Sequence, residues 1–358
     1  MHRIALIPGD GIGVEVVREA RKVLEAVASA GGIALALDEL DLGAERYLRD
    51  GVTITDEEFR ALAEDYDAVL LGALGDPRVP GNEHAKDILL GLRFRLDLYV
   101  NFRPCVLPAP ELSPLRDAPP IRLEVFRENT EGEYTGIGGG FKKGTPDELA
   151  LEENVATRKG VERIIRAALE HARARGRGRV TLVDKSNAMR HVGGLWRRVW
   201  AEVGEEYAEI ERDAMYVYAM AMDLVRRPGR YEVIVAPNLF GDIVSDLAAE
   251  ITGGLGLAPS ANLHPGRHAL FEPVHGSAPD IAGTGKANPI GAIRCVGLLL
   301  EHLGHAEAAA RIEAGVGAAI SGGHTTPDLG GGLNTAGVGD WMVEHLTAAD
   351  AALDRTSG

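Results

Sequence analysis

Cysteine is scarce in this sequence, with only Cys105 and Cys295 among 358 residues. Two cysteines cannot build a disulfide framework, and their spacing fits no cysteine-based metal site. No apolar run approaches the roughly 18 residues that a membrane-spanning helix needs. Met1 to Leu6 lead directly into a strand pattern, not into the apolar segment of a signal peptide. These absences exclude a disulfide scaffold and a membrane protein, and they predict a reducing, cytoplasmic location.

Positive charge is also limited, and lysine most of all. The chain has 38 Lys and Arg against 53 Asp and Glu, a formal net charge of −15, which argues against a nucleic-acid-binding surface. Only seven of the cationic residues are lysines. Lys185 ends a strand-like run, so it is less easily explained as a generic surface charge. A small anionic substrate would need a local cluster of arginines in so acidic a protein.

The apolar pattern predicts an α/β protein, because strand-like and helix-like segments alternate along the chain. A length of 358 residues is long for one domain and suits two. Residues 101–104 open a proline-rich connection that runs to Pro120, a plausible crossing between domains. Glycine clusters at 136–140, 253–256 and 330–332 predict turns and loops. The predicted strands are 4–7, 67–71, 121–126, 180–183 and 233–236, and the predicted helices are 16–27, 161–174, 194–203, 290–303 and 306–320.

The segment 238–246 carries the clearest chemical signal. It follows the buried strand pattern Val233–Ala236, and it places Asp242 and Asp246 four residues apart. If a helix begins near Phe240, both carboxylates lie on one face, one turn apart. Such oxygen ligands suit Mg²⁺ or Mn²⁺. The alternative is a pair of acidic residues in the first helical turn, where they would interact with the helix dipole.

The segment 9–13 follows a strand and opens a helix, as dinucleotide-binding turns do. Its glycines Gly9, Gly11 and Gly13 nevertheless miss the full G-x-G-x-x-G spacing, because Val14 stands where the third glycine should be. A tight strand-to-helix turn without any nucleotide is the competing interpretation.

Five cationic or aromatic residues, taken in order, resemble a known enzyme family: Arg93, Arg103, Arg127, Tyr134 and Lys185. The family is that of the metal-dependent β-decarboxylating dehydrogenases of 2-hydroxy acids, which act on 3-isopropylmalate, isocitrate, homoisocitrate and tartrate or D-malate. The resemblance covers nearly the whole chain, from Ile7 to Gly331. Its strongest block is 271–283, Phe-Glu-Pro-Val-His-Gly-Ser-Ala-Pro-Asp-Ile-Ala-Gly, together with Ala287-Asn288-Pro289.

The resemblance implies a two-domain, isopropylmalate dehydrogenase-like α/β fold with a nucleotide site unlike that of Rossmann proteins. It implies a discontinuous cofactor-binding domain, 1–100 plus 252–358. The middle of the chain, 101–251, would form the dimerisation, substrate and metal domain. It also implies a homodimer in which Lys185 of one subunit completes the active site of the other.

The same resemblance assigns roles around a small dicarboxylate substrate. Arg93, Arg103 and Arg127 would bind the malate carboxylates, because guanidinium forks bind carboxylates bidentately and stay charged when buried. Leu89 would face the substituent on C3 of the substrate. A Lys-linked base at Lys185 would take the hydroxyl proton. The remaining expected roles are Tyr134 as the acid that protonates C3, and Asp242 and Asp246 as metal ligands.

The cofactor site implied by the resemblance rests chiefly on Asp280. A carboxylate can accept hydrogen bonds from the adenosine ribose hydroxyls and would repel a 2′-phosphate, so NAD is expected over NADP. Relatives that use NADP usually carry Lys then Tyr at the positions of Asp280 and Ile281. Lys286 places one cation in the same loop. The implied cofactor-binding residues are Ile12, His275, Gly276, Ser277, Ala278, Asp280, Ile281 and Asn288.

One position departs from the family pattern. Relatives carry an aspartate that reaches the metal across the dimer interface, in a segment of the form Tyr-Val-Asp-Ala-Met-Ala-Met. Here the segment 216–222 has Tyr218 in its place. A neutral phenol is a poor ligand for Mg²⁺, and the exchange removes one negative charge from a site that must balance a dication. We expect Tyr218 to lie at the metal site without binding the ion.

The expected function is therefore NAD-dependent oxidative decarboxylation of a 3-substituted malate, as in 3-isopropylmalate dehydrogenases. The apolar Leu89 favours an apolar substituent over the third carboxylate of isocitrate. The segments 131–134 and 142–145 also resemble the tartrate/D-malate branch, so an enzyme of that branch, or one acting on an unusual malate, is an alternative. A non-catalytic homologous subunit is the alternative from another class, and the exchange at Tyr218 is its motivation.

Overall fold

The computed structural model describes residues 1–356, with the side chains of residues 1–348. Ten of its strands form one mixed sheet, and the other two form a separate antiparallel ribbon. In chain order the strands are β1 His2–Ile7, β2 Leu35–Glu39, β3 Ala68–Leu71, β4 Val100–Val106, β5 Arg122–Glu128, β6 Gly138–Phe141, β7 Leu149–Glu152, β8 Arg179–Asp184, β9 Glu211–Tyr216, β10 Val233–Ala236, β11 Pro259–His264 and β12 His268–Pro273.

The large sheet has two parallel wings joined by an antiparallel centre. Its strand order is β2-β1-β3-β12-β11-β4-β5-β10-β8-β9. Strands β2, β1, β3 and β12 run parallel in one wing, as do β5, β10, β8 and β9 in the other. Strands β12, β11, β4 and β5 pair antiparallel in the centre. The expectation of an α/β fold is confirmed.

Helices cover both wings, and each of the five predicted helices begins within four residues of its predicted position. Within the described chain, none combines the length and apolar character that crossing a membrane requires. The helices are α1 Ile12–Ala30, α2 Ala44–Asp50, α3 Asp56–Glu64, α4 Glu83–Ala85, α5 Gly91–Arg95, α6 Arg158–Ala174, α7 Arg190–Gly204, α8 Val217–Arg226, α9 Asn238–Ile251, α10 Ile290–His302, α11 Ala306–Ser321 and α12 Thr335–Thr356, with a π-helical turn at Lys86–Leu90.

Local sequence explains these elements. Helix α6 begins after Thr157, whose hydroxyl accepts a hydrogen bond from the Gly160 amide and so caps the first turn. Its apolar residues recur every three or four positions, and that face is buried against the sheet. Strand β10 is four apolar residues long and buried throughout, as expected of a central parallel strand.

The buried side chains form four clusters, two for each wing of the sheet. Those of the first wing draw on residues 4–98 and 257–346. Those of the second wing draw on residues 100–251. Each wing thus has apolar side chains packed on both faces of its strands.

Two predictions from local composition were wrong. Residues 101–104 do not open a connection, because they lie within β4 at the centre of the sheet. Strand β4 pairs with β11 only over Val100–Phe102. Pro104 lies beyond those residues, where its missing N–H is tolerated. In the same way, Gly138–Gly140 belong to strand β6 and not to a loop.

Candidate active site

Helix α9 presents the two carboxylates predicted to bind metal. It begins at Asn238, directly after β10 and Pro237, and its first turn contains no acidic residue. Asp242 and Asp246 therefore lie beyond that turn, one helical turn apart on the same face. The alternative explanation, an acidic pair in the first turn, is wrong because the helix begins two residues earlier than expected.

Two predicted substrate arginines meet at these carboxylates. Arg103 comes from β4 and Arg127 from the carboxyl end of β5, and both guanidiniums contact Oδ1 of Asp242, with Arg103 Nη2 at 3.2 Å. Arg103 Nη1 also lies 2.9 Å from Asp246 Oδ1. Asn238 holds Arg127 from the other side, since its Oδ1 accepts hydrogen bonds from Arg127 Nε and Nη2 at 3.0 and 2.8 Å. Both arginines are buried.

Tyr134 joins the same group. Its hydroxyl donates a 2.8 Å hydrogen bond to Oδ2 of Asp242. The Arg127 guanidinium carbon lies 5.1 Å from the centre of the tyrosine ring. The structure thus brings five of the residues that the sequence assigned to the site into one cluster: Arg103, Arg127, Tyr134, Asp242 and Asp246.

Arg93 reaches the cluster through a buried polar network. Its Nη2 donates to Glu272 Oε1 at 2.8 Å, and Asn262 Nδ2 donates to the same oxygen at 2.8 Å. Asn262 Oδ1 accepts from Asn101 Nδ2 at 3.0 Å, and Asn101 Oδ1 accepts from Arg103 Nε at 2.8 Å. The network runs along neighbouring strands at the antiparallel centre of the sheet, so it fixes Arg93 relative to Arg103.

The pKa values of the two carboxylates shift in opposite directions, because the arginines outweigh burial at Asp242 but not at Asp246. Burial acts to raise the pKa of Asp242, but Arg127 and Arg103 outweigh burial and hold the pKa below its ordinary value. Burial raises the pKa of Asp246, the nearby Asp242 carboxylate adds to that effect, and Arg103 only partly opposes it. Two carboxylates on one helix face therefore differ in acidity because of their surroundings.

The acid candidate and the deepest arginine are also shifted. Burial, followed by the hydrogen bond to Asp242, raises the pKa of the Tyr134 phenol, so it is protonated at neutral pH and can donate a proton. Burial and the neighbouring Arg103 lower the pKa of Arg127 to about 9, which still leaves its guanidinium charged at pH 7.

Lys185 and Tyr218 lie together, apart from the carboxylate cluster. Lys185 directly follows β8, and Tyr218 is the second residue of α8. The Lys185 ammonium nitrogen lies 3.9 Å from the centre of the Tyr218 ring. In the described part of the chain, no hydrogen bond or ion pair joins either residue to Asp242, Asp246 or Tyr134.

The predicted cofactor residues come from two segments that meet. The Ile12 amide donates a 2.9 Å hydrogen bond to the Ser277 carbonyl, which joins the start of α1 to the loop 275–288. Gly11 has a positive φ of 55°, and a Cβ there would lie 2.1 Å from the same carbonyl oxygen. A groove of about 400 Å³ opens beside this contact, lined among others by Gly9, Gly11 and Pro279.

The remaining loop residues differ in how firmly they are held. Asn288 is buried, donates to Asp328 Oδ2 at 2.9 Å and accepts from the Ile290 amide at 3.0 Å, so it anchors the end of the loop. His275 Nδ1 lies 3.0 Å from the Gly276 carbonyl, while its Nε2 is buried without a hydrogen-bond partner. Burial lowers the pKa of His275. Asp280 is exposed, with Ala278 and Ile281 half-buried beside it.

Sequence reasoning missed the residues that hold these groups in place. Asn238, Asn262 and Glu272 position the arginines, yet none was assigned a role, although Asn238 lies in the segment 238–246 and Glu272 in the block 271–283. Asp10 was missed as well, and its carboxylate accepts from the amides of Ala44 and Gly75 at 2.6 and 2.8 Å and contacts His84 Nε2 at 2.7 Å. Its position just after β1 was the only available signal, because polar residues at strand ends often line sites.

The carboxylate pair fits a divalent cation. Among the described residues, no group of three or more His, Cys, Asp or Glu side chains could hold a metal within one chain. Mg²⁺, however, is commonly bound through one or two carboxylates, with waters and substrate oxygens completing its shell. Asp242 and Asp246 supply those two carboxylates, and no third comes from position 218.

The cluster combines guanidiniums from β4 and β5, carboxylates from α9 and a protonated phenol. Such a set of groups is typical of an α/β enzyme that acts on a small anionic substrate. A sequence model of the isocitrate/isopropylmalate dehydrogenase family matches residues 3–342, and the chain belongs to this family. The predicted class, a decarboxylating dehydrogenase, is thereby confirmed. Membership also implies a divalent metal.

Individual relatives agree with the family match. The chain is 50% identical over 315 residues to a 3-isopropylmalate dehydrogenase of Beutenbergia cavernae, covering 87% of this chain and 90% of the relative. It is 46% identical over 348 residues to that of Thermobifida fusca, covering 96% and 97%. The crystal structure of an isocitrate dehydrogenase from Methylococcus capsulatus superposes with a TM-score of 0.88 at 40% identity, covering 97% of this chain and 100% of the other. The expectation of a 3-isopropylmalate dehydrogenase-like oxidoreductase is confirmed by these relatives.

Proposed function

We propose that this protein oxidatively decarboxylates a 3-substituted malate with NAD, and that 3-isopropylmalate is its substrate. The observation that carries the proposal is the buried cluster in which Arg103 and Arg127 converge on Asp242. Two guanidiniums that lie this close together could bind the two carboxylates of a malate backbone. The names of the Beutenbergia and Thermobifida relatives support the choice of 3-isopropylmalate.

Arg93, Arg103 and Arg127 bind the substrate carboxylates in this proposal. Arg93 has a buried Nε without a hydrogen-bond partner in the described structure, a donor that an anion could satisfy. Leu89 lies four residues before Arg93 and is half-buried among the apolar side chains of the first wing. It offers the C3 substituent an apolar surface, which suits an isopropyl group and disfavours a third carboxylate.

Lys185 and Tyr134 handle the protons. Lys185 takes the proton of the C2 hydroxyl as that carbon is oxidised. The bond between C3 and its carboxylate then breaks, CO₂ leaves, and the electron pair forms an enolate. Tyr134 donates a proton to C3. The raised pKa of Tyr134 supports this role because it keeps the phenol protonated until the carbanion-like carbon forms.

Asp242 and Asp246 hold the metal, Mg²⁺ or Mn²⁺. When bound, the cation polarises the C2 oxygen and offsets the negative charge that develops there. The depressed pKa of Asp242 supports a permanently ionised ligand at neutral pH. Tyr218 contributes no carboxylate, so the ion is held with one charged ligand fewer than in the family pattern.

NAD occupies the groove between the start of α1 and the loop 275–288. NAD bound there would supply the acceptor for the hydride released from C2. Ile12 would face the adenine, and Asp280 would accept hydrogen bonds from the ribose hydroxyls. The exposure of Asp280 supports this role, since a ribose could approach the carboxylate directly. His275, Gly276, Ser277, Ala278, Ile281 and Asn288 complete the contact.

A homodimer with shared sites accompanies this mechanism. Residues 1–100 with 252–358 form the cofactor domain, and 101–251 form the domain that pairs with its copy. The separate core clusters of the two wings support that division. Apolar side chains exposed on α8 and α9, namely Tyr218, Met222, Val225 and Ile243, support a contact with a second copy. So do Phe141, Leu149 and Leu151 on the β6–β7 ribbon.

We assign the protein to the cytoplasm. Both cysteines are free and buried, which suits a reducing compartment.

The test is a substrate panel with NAD and Mn²⁺, followed by NADH absorbance. We expect the highest kcat/KM with 3-isopropylmalate, and Leu89→Ser should lower that value while affecting D-malate less. Preference for D-malate or tartrate would favour the alternative branch, and preference for isocitrate would contradict the role of Leu89. Failure with every substrate, in folded protein, would support a non-catalytic subunit.

A further inference from the structure

Two stacked aromatic rings lie between the cations of Arg197 and Lys185. The Lys185 ammonium nitrogen lies 3.9 Å from the centre of the Tyr218 ring. The Tyr218 ring stacks on Tyr216, with centroids 5.8 Å apart and planes 24° from parallel. The guanidinium carbon of Arg197 lies 5.5 Å from the centre of the Tyr216 ring. Arg197 in turn forms hydrogen bonds of 2.5 and 2.9 Å to the buried carboxylate of Asp184.

Sheet topology explains why these residues meet. Strands β8 and β9 are parallel neighbours, and their register pairs Asp184 with Tyr216. Lys185 is the next residue after Asp184, and Tyr218 follows Tyr216 by two residues at the start of α8. Both side chains therefore emerge at the carboxyl edge of adjacent strands, where the sites of parallel sheets lie.

The backbone of Lys185 is held firmly, whereas its side chain depends on Tyr218. The Lys185 carbonyl accepts hydrogen bonds from the amides of Ala188 and Met189, both at 2.9 Å. In the described structure its ammonium group has no hydrogen bond or ion pair, and its one cation–π partner is the ring of Tyr218. A lysine side chain has many rotamers. A single cation–π contact therefore favours the rotamers that keep the ammonium group on the Tyr218 ring.

We infer that Tyr218 is a positioning residue for Lys185, whose ring face orients the ammonium group toward the neighbouring active site while the phenol contacts no metal. The inference rests on the proposed proton-transfer role of Lys185. In this inference, residue 218 positions the Lys185 ammonium group through a cation–π contact. A carboxylate at the same position would form an ion pair with the lysine. The Tyr218 ring is supported on Tyr216, which contacts Arg197, and Arg197 is held by Asp184.

A spectroscopic measurement tests the geometry without any assay of activity. The chain has seven lysines, so protein labelled with ¹³C at lysine Cε gives a simple spectrum. The signal that disappears in Lys185→Arg identifies Lys185. Ring current should shift its ε-methylene protons upfield of the other lysines. Tyr218→Phe should keep that shift, and Tyr218→Leu should abolish it, because leucine has no aromatic ring.

Kinetics of the same variants test the consequence. Tyr218→Leu should lower kcat about fivefold to tenfold, in line with the loss of one cation–π contact, and should leave the KM for 3-isopropylmalate nearly unchanged. Tyr218→Phe should retain kcat within about twofold because it keeps the ring. Tyr66→Leu is the matched control, since it removes a ring beneath Arg3, with the guanidinium carbon 4.5 Å from the centroid, far from the site.

Three outcomes would overturn the inference. One is an unshifted Lys185 signal in the wild-type protein, which decides the matter even if Tyr218→Leu does not fold. Another is an equal loss of kcat in Tyr218→Phe and Tyr218→Leu, which would assign the effect to the hydroxyl. The third is an unchanged kcat in a folded Tyr218→Leu. Inactivity of the wild type toward every malate, with the shift present, would refute the proposed function and leave the contact established.

Discussion

At the scale of single residues, position in the sheet changes what a common side chain does. Any one of the 31 arginines would ordinarily be a solvated surface charge. Arg103 is instead buried in the middle of β4 and Arg127 near the carboxyl end of β5, and both lower the pKa of Asp242. Buried guanidiniums of this kind are costly to leave unpaired, so each contacts a carboxylate or an amide oxygen.

Asp280 is predicted to decide the choice of nucleotide. We expect kcat/KM with NAD to exceed that with NADP at least tenfold, about 1.4 kcal/mol, because the carboxylate repels a 2′-phosphate. Asp280→Ala should lower the ratio of kcat/KM with NAD to kcat/KM with NADP. Lys286→Ala in the same loop should widen it, because that variant removes a cation that attracts the phosphate. Equal rates with the two cofactors in the wild type would show that Asp280 does not face the ribose.

Glu124 is a residue whose effect on stability should depend on pH. Burial acts to raise its pKa, but hydrogen bonds from His171 and Arg177 outweigh burial and lower the pKa to about 2. The folded-state pKa thus lies below the ordinary value of 4.5, so the stabilisation is complete above pH 4.5 and is lost as the pH falls toward 2.

The corresponding measurement is urea unfolding of Glu124→Gln. Its free energy of unfolding at pH 7 should be lower than that of the wild type by about 1–3 kcal/mol, and the difference should shrink below pH 4.5. Glu209→Gln removes an exposed partner of Arg173 and should have no measurable effect. A difference that stays constant from pH 7 to pH 3.5 would contradict the assignment.

At the scale of elements, the turn between β1 and α1 is a close approach of two backbones. Gly11 and Gly32 both have positive φ, 55° and 63°, but only Gly11 has a neighbour within van der Waals reach of a Cβ, the Ser277 carbonyl at 2.1 Å. Glycine is therefore required at position 11 because a side chain there would collide with the Ser277 carbonyl. It lets the start of α1 touch the loop 275–288.

Alanine substitutions at Gly11 and Gly32 separate the cost of backbone strain from the cost of the steric clash with Ser277. Gly32→Ala should cost about 1 kcal/mol, the strain of a left-handed alanine. Gly11→Ala carries the same strain and must also displace the Ser277 carbonyl, so it should cost at least about 2 kcal/mol more and weaken NAD binding. Denaturant unfolding and NAD titration measure both quantities. Similar losses in the two variants would mean that the loop moves away freely.

At the scale of the whole molecule, the proposed catalytic groups do not all contact one another within one chain. Tyr134 contacts Asp242, whereas Lys185 lies against Tyr218 and has no hydrogen bond or ion pair to that cluster in the described part of the chain. A dimer with shared sites accounts for this separation, since the lysine of one copy would complete the cluster of the other.

Mixed dimers test the sharing of sites. Lys185→Ala and Tyr134→Phe chains should each be nearly inactive alone. After subunit exchange at equal amounts, activity should recover to about a quarter of the wild-type value, because about half of the dimers are mixed and each has one intact site. Mass spectrometry of differently tagged chains verifies the exchange. No recovery in verified mixed dimers would place each complete site within one subunit.

Much of the fold could be predicted from local patterns. Strand β10 was predicted with its observed limits, and helices α6, α10 and α11 were placed within three residues of their ends. These elements have strong apolar periodicity, which a short window captures. Strand β4 was missed because its partner β11 is distant in sequence, and because Pro104 within it is more typical of a loop.

In the candidate site too, some features follow from the sequence and others depend on contacts between residues distant in the chain. The sequence by itself determined the family, and with it the expected arginines, the carboxylates of α9 and Tyr134, because these residues carry charge or a phenol in a recognisable order. Only the tertiary structure decided that Arg103 and Arg127 share Asp242, that Asn262 and Glu272 link them to Arg93, and that Lys185 rests on Tyr218. Those relations join residues far apart in the chain, and a hydrogen bond or a pKa shift depends on distance and burial, which no local pattern contains.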